Sequence, residues 1–305
     1  MAKYILKRLI MALITIWAIV TITFFLMHAI PGDPIRQEGK MPKVIYENMK
    51  KKYGLDKSTF EQYIIYLKNI ARLDFGVSMK SDAETVNQMI MRGFPVSARL
   101  GLQALIIALI IGPLLGCFAA LFQNKWPDYL STVIAIIGVS VPSFVLGALL
   151  IQVVATNFKG FPVGGWGTFK HTILPSFALS FLTIAYMARL MRSTMLEVLN
   201  QDYIKTARSK GISKHKVVFR HAVRNAVLPL ISTLGTSTAN LMVGSFVIEK
   251  IFGIPGIGMF FVRSISNRDY PLIMGTTIFY SSVLVVAILL VDIAYTFIDP
   301  RIKVT

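Results

Sequence analysis

The chain has 305 residues, of which 54% are hydrophobic and 15% are charged, and its mean hydropathy is +0.63. Such a composition excludes an ordinary soluble domain of this length and predicts an all-α integral membrane protein. A net charge of +17 would suggest a nucleic-acid partner if the protein were soluble. In a membrane protein the positive-inside rule explains this charge, so we expect contact with membrane lipid and no nucleic acid.

Six apolar segments are long enough to cross a bilayer, because a spanning helix needs roughly 20 predominantly apolar residues. The first segment is much longer than the apolar region of a signal peptide, and no small-residue cleavage site follows it, so we expect a permanent helix. The six predicted spans are 9–30, 100–122, 130–154, 173–191, 227–248 and 272–298.

Positive side chains concentrate at two places and predict the orientation of the spans. Lys3, Lys7 and Arg8 precede the first span, and a larger basic group lies between the fourth and fifth spans. Both regions are predicted to face the cytoplasm, since positive loops stay on that side. Six crossings then place both termini in the cytoplasm and the long segment 31–99 outside.

The outer segment 31–99, which we call the cap, is too long for a simple connection. Its apolar residues recur at helical spacing from Phe60 to Ala71 and predict an amphipathic helix. Two interpretations stay open for this cap. It is either a lid that packs on the spans or a docking surface for a soluble partner.

A second outer feature is the sequence EKIFGIPGIGMF at 249–260. After Glu249, the residues Gly253, Pro255 and Gly256 prevent a continuous helix. Irregular backbone near a membrane is tolerated where protein buries it or where it lines a water-filled cavity. The segment is therefore an outer gate loop or an ordinary surface turn.

Small and polar residues share one face of the fifth predicted span. This face either lines a translocation path or packs closely against another helix. In the third span Pro142 removes a backbone donor and predicts a kink, and the preceding Ser140 joins the candidate path. The candidate residues on the fifth span are Thr233, Thr236, Ser237 and Asn240, continued by Gly244.

Motifs of enzymes and of ion-coupled carriers are missing from the sequence. It contains no nucleotide-binding P-loop, no H-E-x-x-H and no G-x-S-x-G, so we expect no catalytic residues and no metal site. The single cysteine, Cys117, excludes a disulfide framework. Asp292 is the one ionisable residue well within an apolar span. An ion-coupled carrier is expected to place several ionisable groups near mid-membrane, so their scarcity argues against that class.

The stretch 202–231 is basic and helix-prone and lies between two spans. Asp202 is suited to cap a first helix, and Gly211 can adopt the left-handed conformation that ends it. A second helix follows, and Pro229 marks the return to the bilayer. The sequence predicts two angled helices that either dock on a partner or lie on anionic lipid.

Within this stretch, KTARSKG followed by AVLPL resembles the EAA loop of ABC-importer permeases, the coupling helix that docks on an ATPase subunit. Lys205 and Thr206 stand where the general motif has Glu and Ala, so the acidic side chain of that first position is replaced by a basic one. The resemblance implies ATPase-coupling roles for Lys205, Thr206, Ala207, Gly211, Leu228 and Pro229.

The resemblance extends along nearly the whole chain. HAIPGDP, YGLD, SVPSF, HTILPS, EKIFGIPGIG, NRDYPLI and DPRIK occur in the order typical of B-type permease subunits of oligopeptide and dipeptide importers. It implies the type I ABC importer permease fold in a bacterial cytoplasmic membrane. The implied partners are a C-type permease subunit, two cytoplasmic ATPase subunits that use ATP and Mg, and an extracellular peptide-binding protein. The chain itself would bind no cofactor.

We therefore expect residues 1–30 to form the N-terminal segment and first span, 31–99 the cap, and 100–305 a five-helix permease core with a coupling loop at 200–229. The expected function is a non-enzymatic permease subunit that moves oligopeptides by alternating access. Dipeptides, glutathione or a nickel chelate are alternative substrates. A stand-alone channel or ion-coupled carrier is the alternative of another class, and an intramembrane enzyme comes third.

Overall fold

The computed structural model of the protein describes residues 2–31, 35, 42–81, 84–158, 160–243 and 246–298. Within these ranges the regular structure is helical, and an isolated bridge pairs Val77 with Thr85. The all-α prediction is therefore confirmed. Gly244 of the predicted polar face and the C-terminal DPRIK block lie outside the described residues.

The helices are numbered in chain order, and two stretches are π-helical. The first half contains α1 (Ala2–Ala29), α2 (Lys43–Lys52), α3 (Thr59–Ala71), α4 (Val86–Leu121), α5 (Trp126–Ser140), α6 (Ser143–Leu150) and a π-helical segment (Ile151–Ala155). The second half contains α7 (Lys170–Leu199), α8 (Asp202–Ser209), α9 (Lys214–Lys216), a π-helical segment (Val217–Val223), α10 (Arg224–Ala226), α11 (Leu228–Ser232), α12 (Leu234–Val243), α13 (Phe246–Ile251), α14 (Ile257–Asn267) and α15 (Tyr270–Ile298).

Among the described residues, α1, α4, α7 and α15 are each long and apolar enough to cross a membrane. The predicted third span is a bent pair, in which α5 and α6 meet at 108° around Val141 and Pro142. Within the predicted fifth span, α11 and α12 are separated at Thr233, and α12 and α13 lie on either side of residues 244–245, which are outside the described part of the chain. The second span begins 14 residues before its predicted start at Leu100, because α4 starts at Val86. A count of six spans and the orientation of the termini stay predictions.

The chain forms two compact units, and the first contains Met1–Val96 and Pro255–Leu289. Its core includes Phe24 and Met27 of α1, Tyr63 of α3, and Tyr270 and Met274 of α15. The predicted amphipathic helix of the cap is confirmed as α3. A capping box starts this helix, since Ser58 accepts from the Glu61 backbone N–H while the Glu61 carboxylate accepts from the Ser58 N–H.

The second unit contains Ser97–Ile254 and the end of α15, and α7 is its central helix. Small buried residues recur at every fourth position along the adjoining face of α4. A Cβ atom at Gly112 would lie 2.7 Å from the Cβ of Met187, so glycine is required for this close approach. Tight packing through small residues is typical of membrane helices. The small positions on α4 are Ala104, Ala108, Gly112, Gly116 and Ala120.

Candidate coupling segment and translocation face

The residues 202–226, which we call the elbow segment, form two helical arms joined by a tight turn. Gly211 has a φ of +76°, as its left-handed role requires. The Ile212 N–H donates to the Ala207 carbonyl at 3.3 Å, and the Gly211 N–H donates to the Arg208 carbonyl at 3.0 Å. This pair of bonds is a Schellman motif, so the predicted helix end at Gly211 is formed as expected.

The inner face of the elbow segment packs against the last turns of α7. Ile204, Ala207 and Val217 are buried in one apolar cluster with Met191 and Met195 of α7. Fixing these side chains removes their apolar surface from water, which stabilises the arms on α7 at about 25 cal/mol per Å². The elbow segment is therefore a rigid extension of α7.

A hydrogen bond reinforces this packing at the end of the second arm. The Thr194 hydroxyl of α7 donates to the Ala226 carbonyl of α10 at 3.0 Å. Ala226 is fully buried, so the bond is shielded from competing water. The elbow segment and the end of α7 are therefore joined by apolar packing and by a hydrogen bond.

The outer face of the elbow segment is aromatic and basic. Phe219 is 68% exposed and Tyr203 is 44% exposed, and both are large apolar side chains. The Asn225 side-chain amide donates to the Tyr203 hydroxyl at 3.2 Å and links the two arms on this face. The exposed basic residues are Lys205, Arg208, Lys210, Lys214, Lys216, Arg220 and Arg224.

Several details of the predicted coupling residues are corrected by the structure. Asp202 is not the N-cap of α8, because Gln201 occupies that position and Asp202 lies in the first turn, where its carboxylate pairs with Lys205 at 2.9 Å. Ala207 is only 6% exposed and belongs to the inner face, whereas Thr206 beside it is exposed. Pro229 lies at the start of α11, as expected for the end of this segment.

The structure brings only part of the predicted polar face together. Thr236 is exposed, whereas the adjacent Ser237 is buried and Thr233 lies in the break between α11 and α12. The side chain of Asn240 lies outside the described part of the chain. Ser140 is exposed at the end of α5, directly before the bend.

The predicted outer gate loop is a tightly packed turn. Gly253 has a φ of +62°, and the Ile254 N–H donates to the Glu249 carbonyl at 2.8 Å, so a second Schellman motif ends α13. The Glu249 side chain is fully buried, and its Oε1 accepts from the Ser97 hydroxyl of α4 at 2.6 Å. Gly256 is the N-cap of α14 and Pro255 is exposed before it.

A neighbouring loop fixes the same turn. The Gly165 N–H donates to the Phe252 carbonyl at 2.7 Å. A Cβ at Gly164 would lie 2.6 Å from that carbonyl oxygen, so only glycine permits this approach. The segment around Glu249 is therefore held in one conformation by its own unit.

Two buried carboxylates escaped the sequence reasoning. Asp128 of α5 forms a bidentate ion pair with Arg192 of α7, and Asp269 before α15 accepts a hydrogen bond from Ser78 of the cap. Arg192 was hidden among the basic residues that the positive-inside rule explained. The available signal was that both aspartates stand at the start of a helix. Asp128 follows Pro127 in α5, and Asp269 precedes the first turn of α15, which contains a proline.

The cap contains a half-open cavity of about 430 Å³ between the end of α1, α3 and the start of α15. Aromatic residues form much of its lining, and Lys51 and Lys57 are exposed at its edge. Burial raises the pKa of the Tyr66 phenol above its ordinary value. Aromatic lining residues include Phe24, Tyr53, Tyr66, Phe75 and Tyr270.

Among the described residues, no group of three or more His, Cys, Asp or Glu side chains is arranged to hold a metal ion. His171 Nδ1 shares a hydrogen bond with the Thr168 hydroxyl at 2.7 Å, and His28 Nε2–H donates to Gln62 Oε1 at 3.1 Å. These histidines make local polar contacts.

The spanning helices and the elbow segment packed on α7 define a helical, multi-pass membrane protein with a two-armed extension of one span. Residues 112–304 match the family model described as the binding-protein-dependent transport system inner membrane component. Residues 1–101 match the N-terminal model of the same kind of component. The chain therefore belongs to the family of inner membrane components of binding-protein-dependent transport systems.

Full-length relatives carry peptide-transport names. The dipeptide transport system permease protein DppB of Bacillus subtilis is 50% identical, over 99% of this chain and 98% of that protein. DppB of Lactococcus lactis is 45% identical over 99% and 100% of the two chains. The oligopeptide transport system permease protein OppB of Salmonella typhimurium is 42% identical over 99% and 100%.

Solved structures share the fold at low sequence identity. The MetNI methionine ABC transporter in inward-facing conformations aligns with a TM-score of 0.54 and 16% identity, over 69% of this chain and 94% of its own. A crystal structure of an amino acid ABC transporter with histidines aligns with a TM-score of 0.51 and 17% identity, over 71% and 95%. The fold is that of ABC-importer permeases, and the protein is a multi-pass protein of the bacterial plasma membrane.

Proposed function

We propose that the chain is the B-type permease subunit of an ATP-driven importer that moves short peptides into the cytoplasm. It is non-catalytic in this proposal, and partner ATPase subunits use ATP and Mg. Full-length relatives named as dipeptide and oligopeptide permeases support the substrate class. Dipeptides and longer peptides are both candidates, and a second permease subunit of the C type would complete the path.

The observation that carries the proposal is the two-faced elbow segment. Its inner face is buried on α7, so its geometry is fixed, while Phe219 and Tyr203 stand exposed on its outer face. Exposed aromatic residues on a rigid support are typical anchors of protein interfaces. We assign this outer face to the groove of a cytoplasmic ATPase subunit, with Lys205 and Thr206 at its edge.

The alternative partner of this face is anionic lipid. Lipid binding would depend on summed charge, at about 1 kcal/mol per Lys or Arg near the surface, and only weakly on the two aromatic side chains. An ATPase groove would instead depend on the aromatic anchors. The two partners therefore respond differently to the same substitutions.

The experiment replaces Phe219 and Tyr203 by alanine in the complete complex and measures how much ATPase co-purifies in detergent. We expect a clear loss of ATPase while the second permease subunit stays bound. Phe158→Ala is the matched control, because Phe158 is similarly exposed on a loop that is not part of the elbow segment. Unchanged ATPase recovery in both elbow variants would contradict the assignment.

We further propose that the cap receives the extracellular binding protein. Its cavity offers an apolar floor with Lys51 and Lys57 at the edge, which suits a partner segment that carries an apolar side chain beside acidic residues. Lys57 and the exposed Lys68 are suitable positions for photo-cross-linkers. Capture of the binding protein supports the proposal, and capture of the second permease alone would make the cap a structural lid.

We place the translocation path along Thr236 and Asn240 of α12, with Thr233, Ser237 and Ser140 in supporting positions. The exposure of Thr236 and Ser140 supports this path. The turn from Glu249 to Gly256 would form the outer end of the path. Hydrogen bonds hold both the Glu249 side chain and the backbone of this turn in place.

A further inference from the structure

Asp128 and Arg192 form a well-aligned ion pair between α5 and α7. The Arg192 Nε–H donates to Asp128 Oδ1 at 2.6 Å, and Nη2–H donates to Oδ2 at 2.8 Å. Asp128 is 3% exposed, and its Oδ2 also accepts from the Asn124 N–H at 2.9 Å. A bidentate pair fixes both distance and orientation, which a single point charge does not.

The pair lies where α7 meets the elbow segment. Arg192 directly follows Met191, and both Met191 and Met195 are buried in the cluster that holds the elbow segment. The Thr194 hydroxyl, two residues further on, donates to the Ala226 carbonyl. One short stretch of α7 therefore contacts the elbow segment on one side and α5 on the other.

The remaining contact between α5 and α7 has a different character. A Cβ at Gly138 would lie 2.6 Å from the Ala185 Cβ, so small residues meet there without polar bonds. Small apolar contacts permit sliding and rotation of packed helices, whereas a bidentate ion pair resists both. Beyond Ser140 the chain bends by 108° into α6.

We propose that Asp128 and Arg192 are positioning residues that make α5, and through its bend α6, follow movements of the elbow segment during transport. This inference rests on the proposed function and adds the route by which the movement leaves α7. The ion pair is the fixed connection, and the bend at Pro142 is the place where the movement changes direction.

The Asp128 carboxylate is buried, whereas the Arg192 side chain is 32% exposed, and such a pair is not required for stability alone. Replacing both partners by neutral groups of similar shape is often tolerated, while removing one partner leaves a buried charge without compensation. The double variant Asp128→Asn/Arg192→Gln therefore separates a stabilising role from a transmitting role. Arg192→Lys keeps the charge but loses the two-pronged geometry.

The experiment reconstitutes the complete complex in proteoliposomes and measures three quantities: ATPase co-purification, ATP hydrolysis stimulated by the loaded binding protein, and peptide taken up per ATP hydrolysed. A matched control is Lys125→Gln, which neutralises an exposed side chain at the N-cap of α5, three residues before Asp128.

We expect the double variant to assemble with the ATPases as wild type does, but to take up at least about fivefold less peptide per ATP, the lower end of usual coupling effects. Arg192→Lys should give an uptake per ATP between those of wild type and the double variant, and the Lys125→Gln control should match wild type. Wild-type uptake per ATP in the double variant would overturn the proposal. Loss of assembly in the double variant would also overturn it, because the pair would then hold the fold.

Failure of the proposed function gives a different result. If the wild-type complex itself recovers no ATPase, or takes up no peptide with ATP, the assignment as an importer subunit fails before any variant is compared. A wild-type complex that transports while the double variant transports equally well contradicts only the role of the ion pair.

Discussion

Ser78 and Asp269 are 191 residues apart in the sequence, and the Ser78 hydroxyl donates a hydrogen bond to the Asp269 carboxylate in the interior of the first unit. The Met79 N–H donates to the other carboxylate oxygen at 3.1 Å. Asp269 also accepts from the Leu272 N–H at 3.4 Å, in the first turn of α15. One buried carboxylate therefore attaches the cap to the start of a spanning helix.

Replacing Asp269 by alanine should loosen the cap. The Ser78 hydroxyl and the Met79 N–H would be left buried without this acceptor, at a cost of about 1–3 kcal/mol for an unsatisfied group. Limited proteolysis of the purified complex should show faster cleavage within 42–81, and affinity for the binding protein should fall. Asp56→Ala, at an exposed cap position, is the control. Unchanged cleavage would show that other contacts hold the cap.

Gly211→Val should weaken ATPase coupling while the spans remain intact. No atom within 4 Å would oppose a Cβ at this position, so the cost arises from the left-handed backbone and amounts to about 1–2 kcal/mol. The strain should shift the two arms of the elbow segment and lower ATPase co-purification. Gly211→Asn tests this reason, because asparagine tolerates the left-handed conformation. Equal recovery with valine and with glycine would refute it.

Ala207→Glu should act from the inner face of the elbow segment. Ala207 is buried beside Ile204, Val217 and Met195, so a carboxylate there would be forced into an apolar cluster. We expect the arms to separate from α7, which protease sensitivity of the elbow segment would report together with the loss of ATPase. Thr206→Glu is the control for protease sensitivity alone, because Thr206 is exposed and its glutamate should leave the arms packed on α7. If only ATPase recovery falls, with the arms still protected, the side chain acts at the docking face.

Sequence reasoning predicted the local features better than the long-range ones. The helix at Phe60–Ala71 and the turn at Gly211 depend on periodicity and on glycine conformation, which neighbouring residues express directly. The burial of Ala207 on α7 could not be predicted from the sequence, because both faces of a short arm offer small or apolar residues and only tertiary packing decides between them.

Other features depend on partners distant in the sequence. Ser97 meets Glu249 only when α4 and α13 come together, and Asp128 meets Arg192 only when α5 packs on α7. Nothing at the separate positions indicates which residue pairs with which. The early start of α4 could not be predicted either. Polar and apolar residues alternate irregularly between 86 and 99, so that stretch was assigned to the cap from its composition.

Thiol labelling should distinguish the two neighbouring polar residues of α12. With Cys117 replaced by alanine, Thr236→Cys should react with a membrane-impermeant reagent, and the reaction rate should change when ATP is added. Ser237→Cys should react slowly in each state, because Ser237 is buried. Asn240→Cys should follow Thr236. Indifference of Thr236→Cys and Asn240→Cys to the reagent with and without ATP would remove α12 from the path.

Charge reversal at the edge of the cap cavity should weaken binding-protein docking. Lys51→Glu and Lys57→Glu should lower affinity most at low salt, because screening shortens the reach of surface charges to about 10 Å at 0.1 M. Lys68→Glu is the control, since Lys68 is exposed on α3 but does not line the cavity. Equal affinity loss for all three variants would indicate a general charge effect and not docking at the cavity.

Peptide uptake by proteoliposomes tests the central claim most directly. The complete complex, with the C-type permease, both ATPases and the binding protein, should accumulate a labelled dipeptide or tetrapeptide only when the ATPases have access to ATP and Mg. The purified chain alone should show no uptake. ATP-independent uptake by this chain alone, driven by a peptide or ion gradient, would contradict the account and support a channel or an ion-coupled carrier.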